Sequence, residues 1–87
     1  MHEMSLMKDL LKKINGVARE QRARRVTAVK VRLGALCHCS ADHFREHFID
    51  GAKGTVAEGA RLEMETGTDP HDPHAQDILL LSVDVPQ

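Results

Sequence analysis

The sequence has few aromatic residues and few cysteines. Among its 87 residues there is no Trp or Tyr, and there are two Phe (Phe44 and Phe48) and two Cys (Cys37 and Cys39). Two cysteines one residue apart do not make the disulfide framework of a small secreted domain, and a disulfide between them is not expected in a reducing compartment. Because aromatic residues are scarce, the core must consist of Leu, Ile, Val, Met and Ala.

Long apolar runs are also absent. No run approaches the ~20 residues of a membrane-spanning helix, and the first apolar stretch is interrupted by Lys8, Asp9 and Lys12, unlike a signal peptide. The sequence therefore predicts a cytoplasmic protein with no membrane span and a single domain over residues 1–87. A domain of this size buries only about 60% of the surface of its unfolded chain, so a homodimer stays an open alternative.

Charge is unevenly distributed, although the net charge is −1. Residues 1–33 hold nine Lys or Arg against three Asp or Glu, whereas residues 34–87 hold three against ten. The densest basic cluster consists of Arg19, Arg22, Arg24 and Arg25. A nucleic-acid interface would combine such a cluster with aromatic residues, and this part of the chain has none. We therefore expect no nucleic-acid partner and interpret the cluster as a solvated helix end, where cations complement the helix dipole.

Hydrophobic periodicity predicts five secondary-structure elements. They are a helix over 3–21, a strand over 25–34, a helix from the N-cap Ser40 to about Asp50, a strand over 60–66 and a strand over 77–85. This order predicts an α+β fold with two helices packed on one face of a three-stranded sheet. The short loop before the last strand predicts antiparallel pairing of the last two strands. The apolar run Ile78–Leu81 predicts that the last strand is central.

Gly16 interrupts the first predicted helix. A glycine inside a helix costs about 1 kcal/mol relative to Ala, so its presence there often has a packing reason. The sequence therefore predicts that another element approaches the first helix closely at Gly16.

The chain begins Met1-His2-Glu3. A free terminal amine, the His2 backbone nitrogen and the His2 imidazole lie on one short segment, and the Glu3 amide is a fourth nitrogen next to them. Four nitrogens in a plane suit Ni(II) or Cu(II). Methionine removal generally needs a small second residue, so we expect Met1 to stay. The alternative interpretation is a frayed end without function.

A second group of metal-binding residue types follows the first strand. Cys37, His38 and Cys39, with His43 or His47 on the next helix, make a zinc-like set of thiolates and imidazoles. His43 and His47 are four residues apart and share a helix face. The C-x-C spacing is poor for structural zinc, and cysteines are often simply buried. A second metal site at these five residues is therefore left open.

Two further histidines, His71 and His74, lie in an acidic loop with Pro70 and Pro73. We interpret this loop as a solvated, proline-stiffened turn, with a weak surface metal site as the alternative. Catalysis by a cysteine nucleophile would need an aligned base, and no such motif has recognisable context here. With no phosphate-binding glycine loop either, the sequence predicts that the protein is not an enzyme.

Several segments along nearly the whole chain occur in the order found in a known family. They are Met1–Leu6, Val26–Val29, Leu33–Leu36, Gly54–Ala60 with Leu62, and Leu80–Val85. Together they resemble the HypA/HybF family, the nickel-incorporation metallochaperones of nickel–iron hydrogenase maturation. The resemblance implies that Met1, His2 and Glu3 bind Ni(II). His2 is then the central ligand, the Met1 amine and backbone nitrogens complete the plane, and Glu3 orients or contributes.

The resemblance also implies a role and partners. Family members deliver nickel to a metalloenzyme large-subunit precursor together with a HypB-like GTPase, and some also serve urease maturation. Two alternatives stay open for this chain. One is a metal-independent interaction module of a maturation complex, and the other is a chaperone for another metal, such as cobalt, with a non-hydrogenase target.

The chain departs from the family pattern in one large respect. The family inserts a zinc ribbon with two CxxC pairs between the second and third strands. Here that place holds only the loop 66–77, and the sequence contains no CxxC. We therefore expect the zinc ribbon and its structural zinc to be absent, and the nickel-binding domain to stand alone.

Overall fold

The computed structural model describes residues 3–36 and 40–86. In these ranges the elements are α1 (Glu3–Glu20), β1 (Ala28–Leu33), α2 (Ala41–Ala52), β2 (Arg61–Thr66) and β3 (Ile78–Asp84). The predicted order of helix, strand, helix, strand, strand is confirmed. Neither of these helices has an apolar stretch that would span a lipid bilayer.

A core of aliphatic side chains and two phenylalanines lies between the two helices and one face of the sheet. Buried residues recur at helical spacing on α1 and at every second position on β1, which turns one side of each element towards the core. They include Met7, Leu10, Ile14 and Ala18 of α1 and Val29, Val31 and Leu33 of β1. From α2 come Phe44 and Phe48, each 1% exposed. The predicted α+β fold, with both helices on one face, is confirmed.

The strand order differs from the prediction. It is β2-β1-β3, so β1 is the central strand. It pairs in parallel with β2 and antiparallel with β3. The predicted antiparallel pair of β2 and β3 is therefore wrong, as is the prediction of a central β3. A loop of this length is longer than a tight hairpin connection, and it crosses the end of β1 to reach the opposite edge of the sheet.

The apolar run of β3 does not have both faces covered. Ile78 and Leu80 pack against the core, whereas Leu81 is 40% exposed. The pairing register shifts between Lys30 and Val31, where Leu80 pairs with Val31 and Ser82 pairs with Lys30. Leu81 is thus the extra residue of a β-bulge, which explains how four consecutive apolar residues fit on an edge strand.

The second helix begins as predicted and ends later. Ser40 is its N-cap, and the Ser40 hydroxyl accepts a hydrogen bond from the His43 backbone N–H at 3.2 Å. The helix continues through Gly51 to Ala52, which is buried, instead of ending at Asp50. A Cβ added at Gly51 would lie 3.0 Å from Leu11 Cδ1 of α1. The close helix–helix approach is therefore at Gly51, whereas no atom outside the helix lies within 4 Å of a Cβ at Gly16.

The face of the sheet away from the helices carries a small ion-pair network. Glu65 on β2 contacts Arg32 Nη2 at 2.8 Å and Lys30 Nζ at 3.4 Å, both on β1. The hydrogen bonds from Arg32 hold the pKa of the Glu65 carboxyl below its ordinary value. These exposed pairs lie on the solvated face of β1 and add little to stability.

Candidate functional site

The predicted nickel ligands lie at the start of the chain. Met1 and His2 lie outside the described residues, and Glu3 is the first residue of α1. The first four N–H groups of a helix have no acceptor within the helix. The Glu3 backbone N–H therefore has no acceptor within the helix, so loss of its proton would break no helical hydrogen bond. The ligand set Met1, His2 and Glu3 stays a prediction.

The second predicted group lies only partly in the described structure. Cys37, His38 and Cys39 lie outside it, whereas His43 and His47 lie on α2. The two imidazole rings stack, with centroids 4.7 Å apart and planes 11° from parallel. The lone pair of an imidazole nitrogen lies in the ring plane, so two stacked rings do not aim their nitrogens at one point. In this arrangement the pair does not chelate an ion.

Residues 3–36 and 40–86 contain no group of three or more His, Cys, Asp or Glu that could hold a metal ion. A site at α2 would thus need ligands from Cys37–Cys39, and it stays a prediction.

The loop that contains His71 and His74 has a defined geometry. The His71 backbone N–H donates to Asp69 Oδ1 at 2.9 Å, and that of His74 donates to Asp72 Oδ1 at 2.8 Å. Two Asp side chains thus close consecutive turns, as Asx turns do. All four residues are exposed, in keeping with the predicted surface turn.

His74 has a side-chain partner that the sequence pattern does not predict. The His74 Nδ1 atom lies 3.0 Å from Asp77 Oδ2, with the side chains 58% and 50% exposed. The spacing of three residues was visible in the sequence. Whether the intervening residues bring the two side chains together depends on the turn that Asp72 and His74 form, which a spacing alone does not specify.

A cavity of about 310 Å³ opens at the ends of β1 and β2. The pair Arg32–Glu65 and the residues Asp72 and His74 line it. Each of these charged or polar groups already has a partner in the fold, Asp72 through the His74 backbone N–H. These four side chains are therefore already hydrogen-bonded within the fold.

Known proteins provide a match to most of the sequence. The model of the HypA family, described as hydrogenase/urease nickel incorporation metallochaperones, matches residues 1–69. Hydrogenase maturation factor HypA of Archaeoglobus fulgidus is 39% identical over 64 residues, 74% of this chain and 58% of the relative. That of Methylocella silvestris is 38% identical over 65 residues, 75% of this chain and 58% of the relative. The chain thus spans less than two thirds of the length of these curated relatives.

The fold has a match among solved structures. The solution structure of the Ni metallochaperone HypA from Helicobacter pylori superposes with a TM-score of 0.79, covering 98% of this chain and 97% of that one. The sequences are 17% identical, so this likeness concerns the fold alone. It extends over β3, which lies beyond the family match.

The resemblance read from the sequence is confirmed by the family match over residues 1–69. Because the family is one of metallochaperones, the prediction that the chain is not an enzyme is confirmed as well. The chain belongs to the HypA family of hydrogenase and urease nickel-incorporation metallochaperones.

Proposed function

We propose that the chain binds one Ni(II) ion at Met1, His2 and Glu3 and delivers it to a metalloenzyme precursor in the cytoplasm, in maturation of the nickel–iron hydrogenase type. The observation that carries this proposal is the family match, which begins at residue 1 and so includes the Met1-His2-Glu3 segment. The nickel ion is the cargo of the protein, so the site must both bind and release it.

The donor atoms account for both requirements. The Met1 amine, the His2 amide nitrogen and the His2 imidazole form fused chelate rings, and Glu3 contributes its amide or orients the segment. Binding displaces protons from these groups, so affinity falls as the pH drops through about 6.5, the ordinary pKa of an imidazole. A ligand set on one short segment at the chain start can exchange its donors one at a time with those of an acceptor.

The proposed nickel domain works without a structural zinc ion. Between β2 and β3 the chain has only residues 67–77, and no CxxC pair occurs in the sequence. Tetrahedral structural zinc sites take four Cys or His ligands, usually in such pairs. No residue of this segment belongs to the core between α1, α2 and the sheet, although Ala75 is buried.

The proposed partners are a HypB-like GTPase and the large-subunit precursor of the target enzyme. The curated relatives are named hydrogenase maturation factors, which supports a place in such an assembly. We propose that the GTPase docks on the first turn of α1, because that turn adjoins the cargo. In α1 beyond this turn, Lys8, Asp9, Lys12 and Lys13 are exposed.

Titration with Ni(II) tests the function. The untagged protein should develop the d–d absorption of a square-planar nickel site with one equivalent of metal. His2→Ala should abolish it, and so should a Gly-Ser extension before Met1, which removes the amine from the chelate. His43→Ala is the matched control, since this exposed histidine lies on α2, and it should bind nickel as the wild type does.

Other results of the titration would favour different functions. If both N-terminal variants bind nickel like the wild type and His43→Ala does not, the metal is held near Cys37–Cys39. If the wild type shows no nickel site, the chain is a metal-independent interaction module. Competition among nickel, cobalt, copper and zinc identifies the cargo, with copper expected to bind most tightly by the general affinity order.

A further inference from the structure

Four exposed arginines lie close together in the sequence around the end of α1. They are Arg19, Arg22, Arg24 and Arg25. Over residues 3–36 and 40–86, none of their guanidinium groups forms an ion pair or a hydrogen bond. The remaining arginines of the chain each contact an oxygen atom of β2; they are Arg32, Arg45 and Arg61. The four arginines at the end of α1, called here the arginine cluster, thus carry charge that the described fold does not neutralise.

The helix dipole accounts for only one of these charges. Cations are stabilised within the last turn of a helix, and Arg19 is the basic residue in the last turn of α1, which ends at Glu20. Arg22, Arg24 and Arg25 come after the helix, in the segment that leads to β1. The stability of α1 therefore does not explain why three further arginines are concentrated there.

Arg22 has a backbone conformation that is unfavourable for an arginine. Its φ is 55°, in the left-handed region that disfavours a residue with a Cβ and that glycine usually occupies at a helix end. Backbone strain of this kind persists where the surrounding structure fixes it, and it is concentrated at functional sites. A strained arginine without a partner in the described fold therefore suggests that its guanidinium group contacts another molecule.

A cavity of about 440 Å³ lies beside the arginine cluster. Its lining consists of Asn15, Arg19, Ala23, Gly54, Thr55 and Val56. Arg19 and Asn15 provide N–H donors, whereas Ala23 and Val56 are partly buried against the core and provide apolar contacts. A glutamate side chain combines an aliphatic stem with a carboxylate, and a guanidinium group binds a carboxylate through charge-assisted hydrogen bonds. The lining thus suits a glutamate side chain.

The charges around the cluster favour a protein as its anionic partner. Guanidinium groups bind both carboxylates and phosphates, so the surrounding residues decide between them. Glu20 ends α1, and the Asp84 carbonyl accepts from the Thr27 N–H at 2.8 Å, two residues after Arg25. Both acidic side chains are exposed. A nucleic-acid duplex or an anionic membrane is negative over a wide area and would repel them, whereas an acidic peptide can lie between them.

Single-stranded nucleic acid is disfavoured for a different reason. Its bases need aromatic side chains on which to stack, and both phenylalanines of the chain, Phe44 and Phe48, are buried in the core.

We propose that the arginine cluster is a docking surface for an acidic, glutamate-rich segment of a partner protein, with one glutamate bound in the cavity by Arg19 and Asn15. The surface lies at the end of α1 opposite to the proposed nickel-binding segment, and a helix of 18 residues is about 27 Å long. A partner bound there leaves the start of the chain accessible. This inference does not depend on nickel binding, so it holds or fails separately from the proposed function.

Fluorescence anisotropy with a labelled oligoglutamate peptide tests the proposal, on the full chain at about 0.15 M NaCl, where exposed charges are screened beyond about 8 Å. The wild type should bind the peptide. The triple variant Arg22→Gln, Arg24→Gln, Arg25→Gln should bind it about 10-fold more weakly or worse, because each exposed ion pair contributes a factor of about 2 to 5. Arg19→Gln alone should weaken binding by about 2- to 5-fold.

The matched control is the triple variant Lys8→Gln, Lys12→Gln, Lys13→Gln, which removes the same charge from exposed positions of α1. It should bind the peptide as the wild type does. The proposal is overturned if the wild type does not bind the peptide, or if the two triple variants lose binding equally, because net charge alone would then explain it. Tighter binding of duplex DNA than of the peptide would overturn it as well.

Arg22→Gly provides a second readout, which a purely structural role of Arg22 would not change. This variant should raise the midpoint of thermal unfolding, because glycine suits a positive φ, and yet bind the peptide more weakly than the wild type. A variant that is more stable and binds the peptide unchanged would contradict the proposed role of Arg22.

Discussion

Gly34 lies at the end of β1, where the backbone of the loop from β2 passes directly over it. A Cβ built on Gly34 would lie 2.1 Å from the Ala75 carbonyl oxygen, far inside contact distance. Gly16 is the opposite case, with no such neighbour within 4 Å. Both glycines are visible in the sequence. Glycine is needed at position 34 because of a contact with Ala75, which lies far along the chain, and no local sequence pattern indicates such a contact.

Substitutions at these two positions should change the free energy of unfolding in opposite directions. Gly34→Ala should destabilise the fold by about 1–3 kcal/mol, as overpacking does, because backbone atoms of the loop must move. Gly16→Ala should stabilise it by about 0.5–1 kcal/mol, since Ala restricts the unfolded chain and suits a helix interior. Urea denaturation measures both. Equal effects in the same direction would contradict the contact at Gly34.

Helix α1 ends in a Schellman motif with an unusual residue at its turn. The Ala23 N–H donates to the Ala18 carbonyl at 2.8 Å, and the Arg22 N–H donates to the Arg19 carbonyl at 3.1 Å. Arg22 has a φ of 55°, in the left-handed region where glycine is usual. The predicted end of the helix, near residue 21, agrees with the structure. The sequence did not indicate that Arg22, within the basic cluster, has the backbone conformation that glycine usually adopts at a helix end.

Replacement of this arginine should therefore improve the helix end. Arg22→Gly should stabilise the protein by about 1 kcal/mol, because a left-handed conformation costs an L-residue roughly that amount. Arg24→Gly, an exposed neighbour without a positive φ, should not stabilise it. Thermal and urea unfolding of the two variants provide the comparison, and a gain for both would point to charge repulsion in the cluster instead.

The elements themselves were predictable because their signals are local. The spacing of Met7, Leu10 and Ile14 marks the buried side of α1, and Ser40 marks the start of α2 through its own side chain. Alternation along a strand indicates which face is buried, but it does not identify the neighbouring strand. The apolar run Ile78–Leu81 therefore predicts a central strand, whereas in the structure a bulge exposes Leu81 at an edge.

At the scale of the whole molecule, the candidate site likewise has one part that the sequence predicts and one part that it does not. The proposed nickel ligands Met1, His2 and Glu3 follow from the chemistry of the chain start and from the family resemblance. The pair His74–Asp77 was not predicted, because its place beside α1 follows from the crossing of the loop to the far edge of the sheet. The spacing of the two residues in the sequence indicates that their side chains can meet. It does not indicate which helix or strand they face.

The proposed absence of structural zinc can be tested on the whole molecule. Structural zinc contributes on the order of 10 kcal/mol to the folding of small zinc domains, so its removal would be obvious. Dialysis against EDTA should leave the thermal unfolding midpoint of the protein purified without added nickel unchanged. A lower midpoint after dialysis in the wild type, but not in a Cys37→Ser, Cys39→Ser double variant, would show a structural ion held by these cysteines.

The strand order β2-β1-β3 has a consequence for how the fold tolerates changes in chain length. Because β2 and β3 pair with β1 and not with each other, the connection between them belongs to no strand pair. Each doubling of a flexible loop costs only about 0.6 kcal/mol, and exposed loop tips accept insertions best. At the exposed tip near Asp69–Asp72, a whole module can thus be gained or lost while every strand keeps its partner.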